Sequence, residues 1–250
     1  MATASEPRTV LTTGANSGIG LATVLELARR GYRSIGSVRS DDKAELVHKA
    51  AADAGVTVET VLLDVADAEQ CERALSGLRL YGLVNNAGYA VAGAIEDVTD
   101  EEARAILETM VVAPMRLARL ALPAMRDAGG GRIVNVSSIA GRATAPFVGW
   151  YTAAKHALEA ATDALRMEVA GDGVKVSLVE PGGFRTAIWD DMERDIARHE
   201  ENGSRFVSAY RRALRTMQFG QTFMGNPGTV AHTIAAGRRG RATSSASTPS

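Results

Sequence analysis

The chain has 250 residues, of which 46% are hydrophobic and 23% are charged, and its formal net charge is -1. This balance is ordinary for a soluble globular protein, and it gives no electrostatic support for binding nucleic acid or an anionic membrane surface. The N-terminus lacks the pattern of a signal peptide, and no apolar run approaches the roughly 20 residues that span a bilayer.

Short apolar runs alternate along the chain with longer stretches of helical periodicity. In chain order we predict a strand over 9–13, a helix over 21–31, a strand over 34–38, a helix over 41–55, a strand over 57–63 and a helix over 67–78. A strand over 82–88 follows, then a long helix over 99–127 with bends at Pro114 and Pro123, a strand over 131–138, a helix over 149–171 and a strand over 174–183. This order predicts an α/β fold with one doubly wound parallel sheet of Rossmann type and helices on both faces.

The pattern changes after the sixth strand. Residues 184–225 read as an irregular helical segment, which we expect to cover a substrate site, and we find no clear seventh strand after Gly228. The last ten residues, 241–250, can bury little apolar surface and are expected to form a disordered tail. We therefore expect one domain over residues 1–240.

Residues that bind metals are sparse. Cys71 is the single cysteine, so no intrachain disulfide can form and a reducing, cytoplasmic location is expected. The four histidines are neither paired at ligand spacing nor close to the cysteine in sequence. No metal site is predicted.

A glycine-rich stretch, TTGANSGIG over 12–20, follows the first strand and opens the first helix. Glycines at this junction let the backbone approach a pyrophosphate closely, and the helix N-terminus offers free N–H groups to it. A simple glycine-rich loop is the alternative, but the strand–turn–helix context favours nucleotide binding. The residues predicted to contact a nucleotide here are Gly14, Asn16, Ser17, Gly18, Ile19 and Gly20.

Four further motifs follow in order. They are NNAG over 85–88, Ser138 in NVSS thirteen positions before Tyr151, the YTAAK that contains Tyr151 and Lys155, and PGGFRT over 181–186. Together with the glycine stretch they resemble the short-chain dehydrogenase/reductase family over roughly residues 8–190, and VEPGGFRT is most similar to its steroid- and retinoid-type branch. The resemblance implies a catalytic Ser138, Tyr151 and Lys155. It also implies cofactor contacts, besides Tyr151 and Lys155, from Asp64, Val65, Asn86, Ala87, Gly88, Pro181, Gly182 and Thr186.

The spacing of Tyr151 and Lys155 agrees with that chemistry. Residues four apart on a helix share a face. An ammonium near a phenol lowers the phenol pKa from its ordinary value of about 10, as does the positive charge of an oxidised nicotinamide. Tyr151 can then exchange a proton with a carbonyl or alcohol oxygen near neutral pH, while Ser138 hydrogen-bonds the same oxygen.

The end of the second strand bears on the choice of cofactor. An acidic residue there holds the ribose 2′-hydroxyl of NAD(H), and a basic residue accepts the 2′-phosphate of NADP(H). This chain has Val38 at that position, followed by Arg39. We predict NADP(H) rather than NAD(H); the alternative is that Arg39 is merely exposed.

The stretch ETMVVAP over 108–114 departs from the family pattern. Met110 stands where the family usually has an Asn, and the resemblance implies that this Asn holds a water linking the catalytic lysine to solvent. A thioether accepts hydrogen bonds only weakly and donates none. Either the replacement slows the return of protons to Tyr151, or Met110 is a core residue and other waters take over.

Two functions remain open on the sequence. The first is an NADP(H)-dependent carbonyl reductase or alcohol dehydrogenase, and the second is an NADP(H)-binding protein with weak or no catalysis. Met and aromatic side chains within 184–225 suggest an apolar substrate, although half of them could simply pack the segment onto the body. The family resemblance also implies a homo-oligomer, with a dimer favoured over a tetramer.

Overall fold

The computed structural model describes residues 6–183, 188–221 and 225–236. The strands in these ranges are β1 (Thr9–Thr12), β2 (Arg33–Val38), β3 (Glu59–Leu62), β4 (Leu80–Asn85), β5 (Gly131–Val136) and β6 (Val174–Val179). The helices in the same ranges are α1 (Gly18–Arg29), α2 (Asp41–Asp53), α3 (Ala68–Leu75), α4 (Asp100–Leu107), α5 (Ala113–Asp127), α6 (Gly149–Glu168), α7 (Ile188–Glu201), α8 (Val207–Gln221) and α9 (Pro227–Ala235).

All six strands form one parallel sheet with the order β3-β2-β1-β4-β5-β6. The predicted Rossmann-type class is confirmed. The strand order reverses between β1 and β4, which is where open parallel sheets bind ligands beyond the carboxyl ends of their strands. The glycine stretch, NNAG, Ser138 and PGG each follow a strand at this edge.

Both faces of the sheet are buried, as the apolar strand composition predicts. Leu11 and Leu83 point to one face and pack in a core with Leu117 of α5. Val84 points to the other face and packs with Val230 of α9. Because successive side chains of a strand alternate between faces, a sheet covered on both sides needs apolar residues at nearly every position.

The helix predicted over 99–127 is interrupted. A π-helical turn, Glu108–Val112, separates α4 from α5, and the N–H of Ala113 bonds to the carbonyl of Glu108. Pro114 has no N–H to donate to the carbonyl of Met110, four residues before it, so a regular α-helix would lose a bond at this point. The bend predicted at Pro114 thus takes the form of a π-helical turn, whereas Pro123 lies within the continuous α5.

Helices α7 and α8 are anchored to residues 90–97, the segment after NNAG. The N–H of Ala92 donates to Asp195 (3.0 Å), and His199 Nε2 donates to the carbonyl of Ala92 (3.1 Å). Tyr210 is fully buried, and its hydroxyl accepts from the N–H of Ala94 (2.7 Å). Part of the predicted covering segment therefore packs onto the body, while the predicted tail over 241–250 lies outside the described residues.

The turn between β1 and α1 depends on the absence of side chains. Gly14 and Gly18 have φ values of +66° and +52°, a region that favours glycine. A Cβ on Gly20 would lie 2.1 Å from the carbonyl oxygen of Gly14 and 2.6 Å from the Asn86 amide nitrogen. Gly20 thus lets α1 begin directly beneath the loop.

We predict that Gly20→Ala destabilises the protein, because backbone and not a flexible side chain must move to admit the methyl group. Overpacking of this kind costs about 1–3 kcal/mol, which lowers the Tm of a chain of this size by about 2–10 °C. Thermal unfolding by circular dichroism measures the effect. Gly171→Ala is the matched control, since its Cβ would meet nothing within 4 Å; equal Tm values for the two variants would contradict the prediction.

Candidate active site

A cavity of about 940 Å³ runs along the carboxyl edge of the sheet. Most of the residues predicted to form the site line it: Gly14, Asn16, Ser17, Gly18, Ile19, Arg39, Asp64, Val65, Asn86, Ala87, Gly88, Met110, Ser138, Tyr151, Lys155, Pro181 and Gly182. Gly20 is buried behind the loop and does not line the cavity, because its role is the close approach to Gly14. Thr186 lies outside the described residues.

Thr13 joins the first two motifs, and sequence reasoning missed it. Its hydroxyl oxygen accepts the N–H groups of Asn86 and Ala87, both at 2.9 Å. In return the Asn86 amide donates to the carbonyls of Thr13 (2.9 Å) and Gly14 (3.2 Å). These bonds fix the glycine loop and NNAG as one unit, and leave the N-terminus of α1 facing the cavity. The only sequence signal was a hydroxyl residue directly before Gly14.

Two basic side chains line the end of the cavity near β2. Arg39 follows Val38, as predicted, and its side chain is exposed. Lys43, in the first turn of α2, lies in the same wall and was not predicted. Asp64 accepts the N–H of Ala66 (3.0 Å), so one carboxylate oxygen shapes the turn after β3 at this end. The signal for Lys43 was its position four residues after Arg39, on a helix that starts beside the cavity.

Ser138, Tyr151 and Lys155 lie together at the opposite end. Ser138 and Tyr151 both line the cavity, and Ser138 Oγ accepts the N–H of Ala140 (3.2 Å). Lys155 is 6% exposed, and its Nζ donates to the carbonyl of Val136 at 2.8 Å. The helix α6 thus presents Tyr151 and Lys155 on one face, against the end of β5.

Burial dominates the electrostatics of this triad. It lowers the pKa of Lys155 to about 7, against an opposing effect of the Glu159 carboxylate. It raises the pKa of Tyr151, and the Ser138 side chain only partly offsets the rise. The expectation that the Tyr151 pKa is lowered is therefore wrong for the protein's own groups. The reason is burial: Tyr151 is 8% exposed, and the Lys155 Nζ, which lies 5.8 Å from the centre of the Tyr151 ring, donates to the carbonyl of Val136.

Met110 occupies the middle of the π-helical turn and is 1% exposed. Its side chain packs over Gly88, where a Cβ would lie 3.5–3.6 Å from three of the Met110 side-chain atoms. The irregular helix is therefore present without an Asn, while the space beside Gly88 contains a thioether in place of an amide. Met110 is both a core residue and part of the cavity wall.

Other parts of the cavity wall combine apolar and polar side chains. They include Tyr89, Thr109, Ile139, Ala140, Ala145, Val148, Gly183, Asp191, Met192 and Arg194. Asp191 and Arg194 form an ion pair on α7, and neither was predicted from the sequence. Among the aromatic and Met residues of the covering segment with described side chains, Met192 lines the cavity, whereas Phe206 and Tyr210 pack on the body.

The helices in the described part of the chain are too short or too polar to span a membrane. The same residues contain no group of three or more His, Cys, Asp or Glu side chains that could hold a metal ion.

Proteins of known sequence and structure resemble this chain over most of its length. It is 34% identical over 230 residues to the uncharacterized oxidoreductase YusZ of Bacillus subtilis, covering 90% of this chain and 82% of the relative. It is 32% identical over 228 residues to retinol dehydrogenase 7 of Mus musculus, covering 83% and 70%.

Solved structures agree with this similarity. A short-chain dehydrogenase from Streptomyces avermitilis superposes with a TM-score of 0.77 at 32% identity, over 94% of this chain and 84% of that one. A short-chain dehydrogenase from Sphingobium yanoikuyae in complex with NADPH gives 0.69 at 31% identity, over 74% and 75%. The sequence profile of the short chain dehydrogenases matches residues 8–197. The chain therefore belongs to the short-chain dehydrogenase/reductase family of oxidoreductases.

Proposed function

We propose that the protein is an NADP(H)-dependent oxidoreductase that transfers a hydride between the nicotinamide and a carbonyl or secondary alcohol of an apolar substrate. One observation carries the proposal. A single cavity has Arg39 and Lys43 at one end and Ser138, Tyr151 and Lys155 at the other.

The cavity fits a dinucleotide along its whole length. The positive φ values of Gly14 and Gly18 open the loop before the α1 N-terminus, where N–H groups suit a pyrophosphate. Arg39 and Lys43 offer two positive charges for a 2′-phosphate, and Val38 cannot bind a 2′-hydroxyl as an acid would. The relative from Sphingobium yanoikuyae, solved with NADPH, supports the same choice.

The bound nicotinamide supplies or accepts the hydride. Ser138 orients the substrate oxygen, and Tyr151 gives it a proton during reduction or takes one during oxidation. The raised pKa of Tyr151 keeps its phenol protonated, which suits reduction. Lys155, on the same face of α6 as Tyr151, would help to hold the nicotinamide end of the cofactor. Helix α7 closes the cavity from the substrate side and limits the access of water to the reacting atoms.

The apolar wall around Met192, Val148 and Ile139 suits a bulky hydrophobic substrate. The similarity to retinol dehydrogenase 7, named for an apolar alcohol, supports this substrate class. The ion pair of Asp191 and Arg194 at the same wall can bind a polar group at the far end of such a molecule.

One specific observation favours the second candidate, a dinucleotide-binding protein with weak or no turnover. Met110 fills the space beside Gly88 with apolar atoms, so its side chain offers no donor to a water near Lys155. The difference between the two candidates is thus the return of protons to Tyr151 and not the binding of cofactor.

We predict tighter binding of NADPH than of NADH. Arg39→Ala and Lys43→Ala should each weaken NADPH binding by about 10- to 100-fold, since a charge-assisted hydrogen bond contributes about 1.5–3 kcal/mol, and leave NADH binding unchanged. A titration that follows the fluorescence of the reduced cofactor measures the binding of NADPH and of NADH to each variant. Lys49→Ala, on the exposed face of the same helix, is the control. Equal loss of NADH and NADPH binding in Arg39→Ala would refute the assignment of the 2′-phosphate.

We predict that the native protein oxidises NADPH with bulky apolar ketones and that Tyr151→Phe lowers the rate by about 10²- to 10⁴-fold, the usual contribution of a general acid. Tyr32→Phe, outside the cavity, should leave it unchanged. Met110→Asn should raise the rate if proton return is limiting. The assay is the loss of absorbance at the NADPH band. If neither the native protein nor Met110→Asn oxidises NADPH although both bind it, the second candidate is established.

We also propose a homodimer through α5 and α6. Ala153, Ala160 and Met167 lie seven residues apart on one exposed face of α6, and Met167 is 73% exposed. Small residues at this spacing let two helices approach closely, and the exposed Met adds apolar area.

Sedimentation should therefore give a dimer for the native protein and a folded monomer for Ala160→Arg, because a buried guanidinium at the centre of the face would be unpaired. Ala52→Arg, on the exposed face of α2, is the control and should remain a dimer. A dimeric Ala160→Arg would place the interface elsewhere.

A further inference from the structure

Helix α6 carries a third buried ionisable side chain, one turn beyond Lys155. This side chain, that of Glu159, is only 5% exposed, so a carboxylate occupies a position where an apolar side chain is usual. Burying an isolated carboxylate costs several kcal/mol, so Glu159 needs hydrogen-bonding or oppositely charged partners.

The partners of Glu159 come from the end of β5 and the turn after it. Ser137 Oγ donates to one carboxylate oxygen at 2.8 Å, and Arg142 Nε lies 2.6 Å from the other. Arg142 is half exposed, and its Nη2 also pairs with Glu180 at 3.0 Å. The pair thus links a buried carboxylate near the triad to the protein surface.

Two successive turns of α6 bind neighbouring residues at the end of β5. Lys155 donates to the carbonyl of Val136, and Glu159 accepts from Ser137, while Tyr151, one turn before Lys155, lines the same cavity as Ser138. Glu159 therefore belongs to the same arrangement as Tyr151 and Lys155. Its bond to Ser137 holds the residue directly before Ser138.

Other charged side chains lie on the elements packed against α6, among them Lys175 of β6 and the charged residues of α4, Asp100, Glu101, Glu102 and Arg104, but Glu159 is the charge that acts on the Lys155 pKa. Arg142, after the turn that follows β5, and Glu180, after β6, neutralise each other in part. Asp163, further along α6, pairs with Arg166, and Glu108 of the π-helical turn pairs with Arg116. Burial lowers the pKa of Lys155, and Glu159 is the charge that opposes this effect.

We propose that Glu159 is a positioning residue of the oxidoreductase site: its carboxylate, held by Ser137 and Arg142, fixes the strand end that carries Ser138 and lies one turn from Lys155 on the same face of α6, where its negative charge acts on the ammonium. The inference rests on the proposed function for its catalytic meaning. The half-exposed Arg142 connects the buried Glu159 carboxylate to the surface.

The charge on Lys155 can be followed directly, because the chain has only four lysines, at positions 43, 49, 155 and 175. We would label the protein with lysine carrying ¹³C at Cε and record the pH titration of each resonance by NMR. The spectrum of Lys155→Arg assigns the Lys155 signal by its loss. This measurement needs neither cofactor nor substrate.

The native Lys155 signal should titrate with a midpoint near its pKa of about 7. Glu159→Gln keeps an acceptor for Ser137 and removes the charge. It should lower the midpoint by about one pH unit, the usual effect of a nearby opposite charge. Lys155 would then be mostly neutral at pH 7. An unchanged or raised midpoint in Glu159→Gln would overturn the proposal.

Two further variants make the test independent of the folding of Glu159→Gln. Arg142→Gln removes a positive charge from the half-exposed side of the network and should raise the Lys155 midpoint, the opposite direction. Glu180→Gln also removes a partner of Arg142 and is the matched control, with a midpoint close to the native one, since Glu159 and not Glu180 acts on the Lys155 pKa. Equal shifts in Glu180→Gln and Glu159→Gln would assign the effect to Arg142 and overturn the role of Glu159.

The same variants separate this inference from the proposed function. If NADPH-dependent turnover is found, the fall of its rate at alkaline pH should move with the Lys155 midpoint in Glu159→Gln and stay fixed in Glu180→Gln. A moved midpoint without any turnover leaves the Glu159 interaction established and refutes only the oxidoreductase function. A fixed midpoint with normal turnover refutes the role of Glu159 and leaves the function intact.

Discussion

The burial of the Lys155 ammonium against the carbonyl of Val136 is the constraint on which the site depends. A cation can stay inside a protein only if polar groups surround it, and here they come from the end of β5 and from α6 itself. The bond fixes the rotation of α6 about its axis. That rotation places Tyr151 against Ser138 one turn before Lys155 and directs Glu159 to Ser137 one turn after it. A different rotation of α6 would therefore disrupt the positions of Tyr151, Lys155 and Glu159 together.

The sheet supplies the second requirement, a set of strand ends that meet at one edge. Its order brings the loop after β1 beside the loop after β4, and Thr13 ties the two with bonds to Asn86 and Ala87. Because Gly20 has no side chain, α1 can start directly beneath these two loops, with its N-terminus facing the cavity. The glycine-loop end of the cavity and the end with Ser138, Tyr151 and Lys155 are thus held by different contacts within one sheet.

Met110 illustrates how an altered residue can leave the architecture intact. The π-helical turn is explained by Pro114, whose missing N–H breaks the regular bond pattern, and it does not require an amide at position 110. What the amide would add is hydrogen bonding, and the thioether replaces that with packing over Gly88. The consequence of the replacement is therefore the loss of an amide donor and acceptor in the cavity wall.

The sequence by itself determined the elements, the sheet class and most of the cavity wall. Strand periodicity, the glycine spacing and the four-residue step from Tyr151 to Lys155 are local properties, and each can be read along the chain. Only the tertiary structure decided the rest. Thr13 and Lys43 acquire their places from neighbours distant in sequence, and Glu159 is recognisable only once Ser137 and Arg142 surround it. The pKa of Tyr151 was mispredicted for the same reason: a charge four residues away matters less than how deeply both groups are buried and where the ammonium points, and burial is a property of the folded chain as a whole.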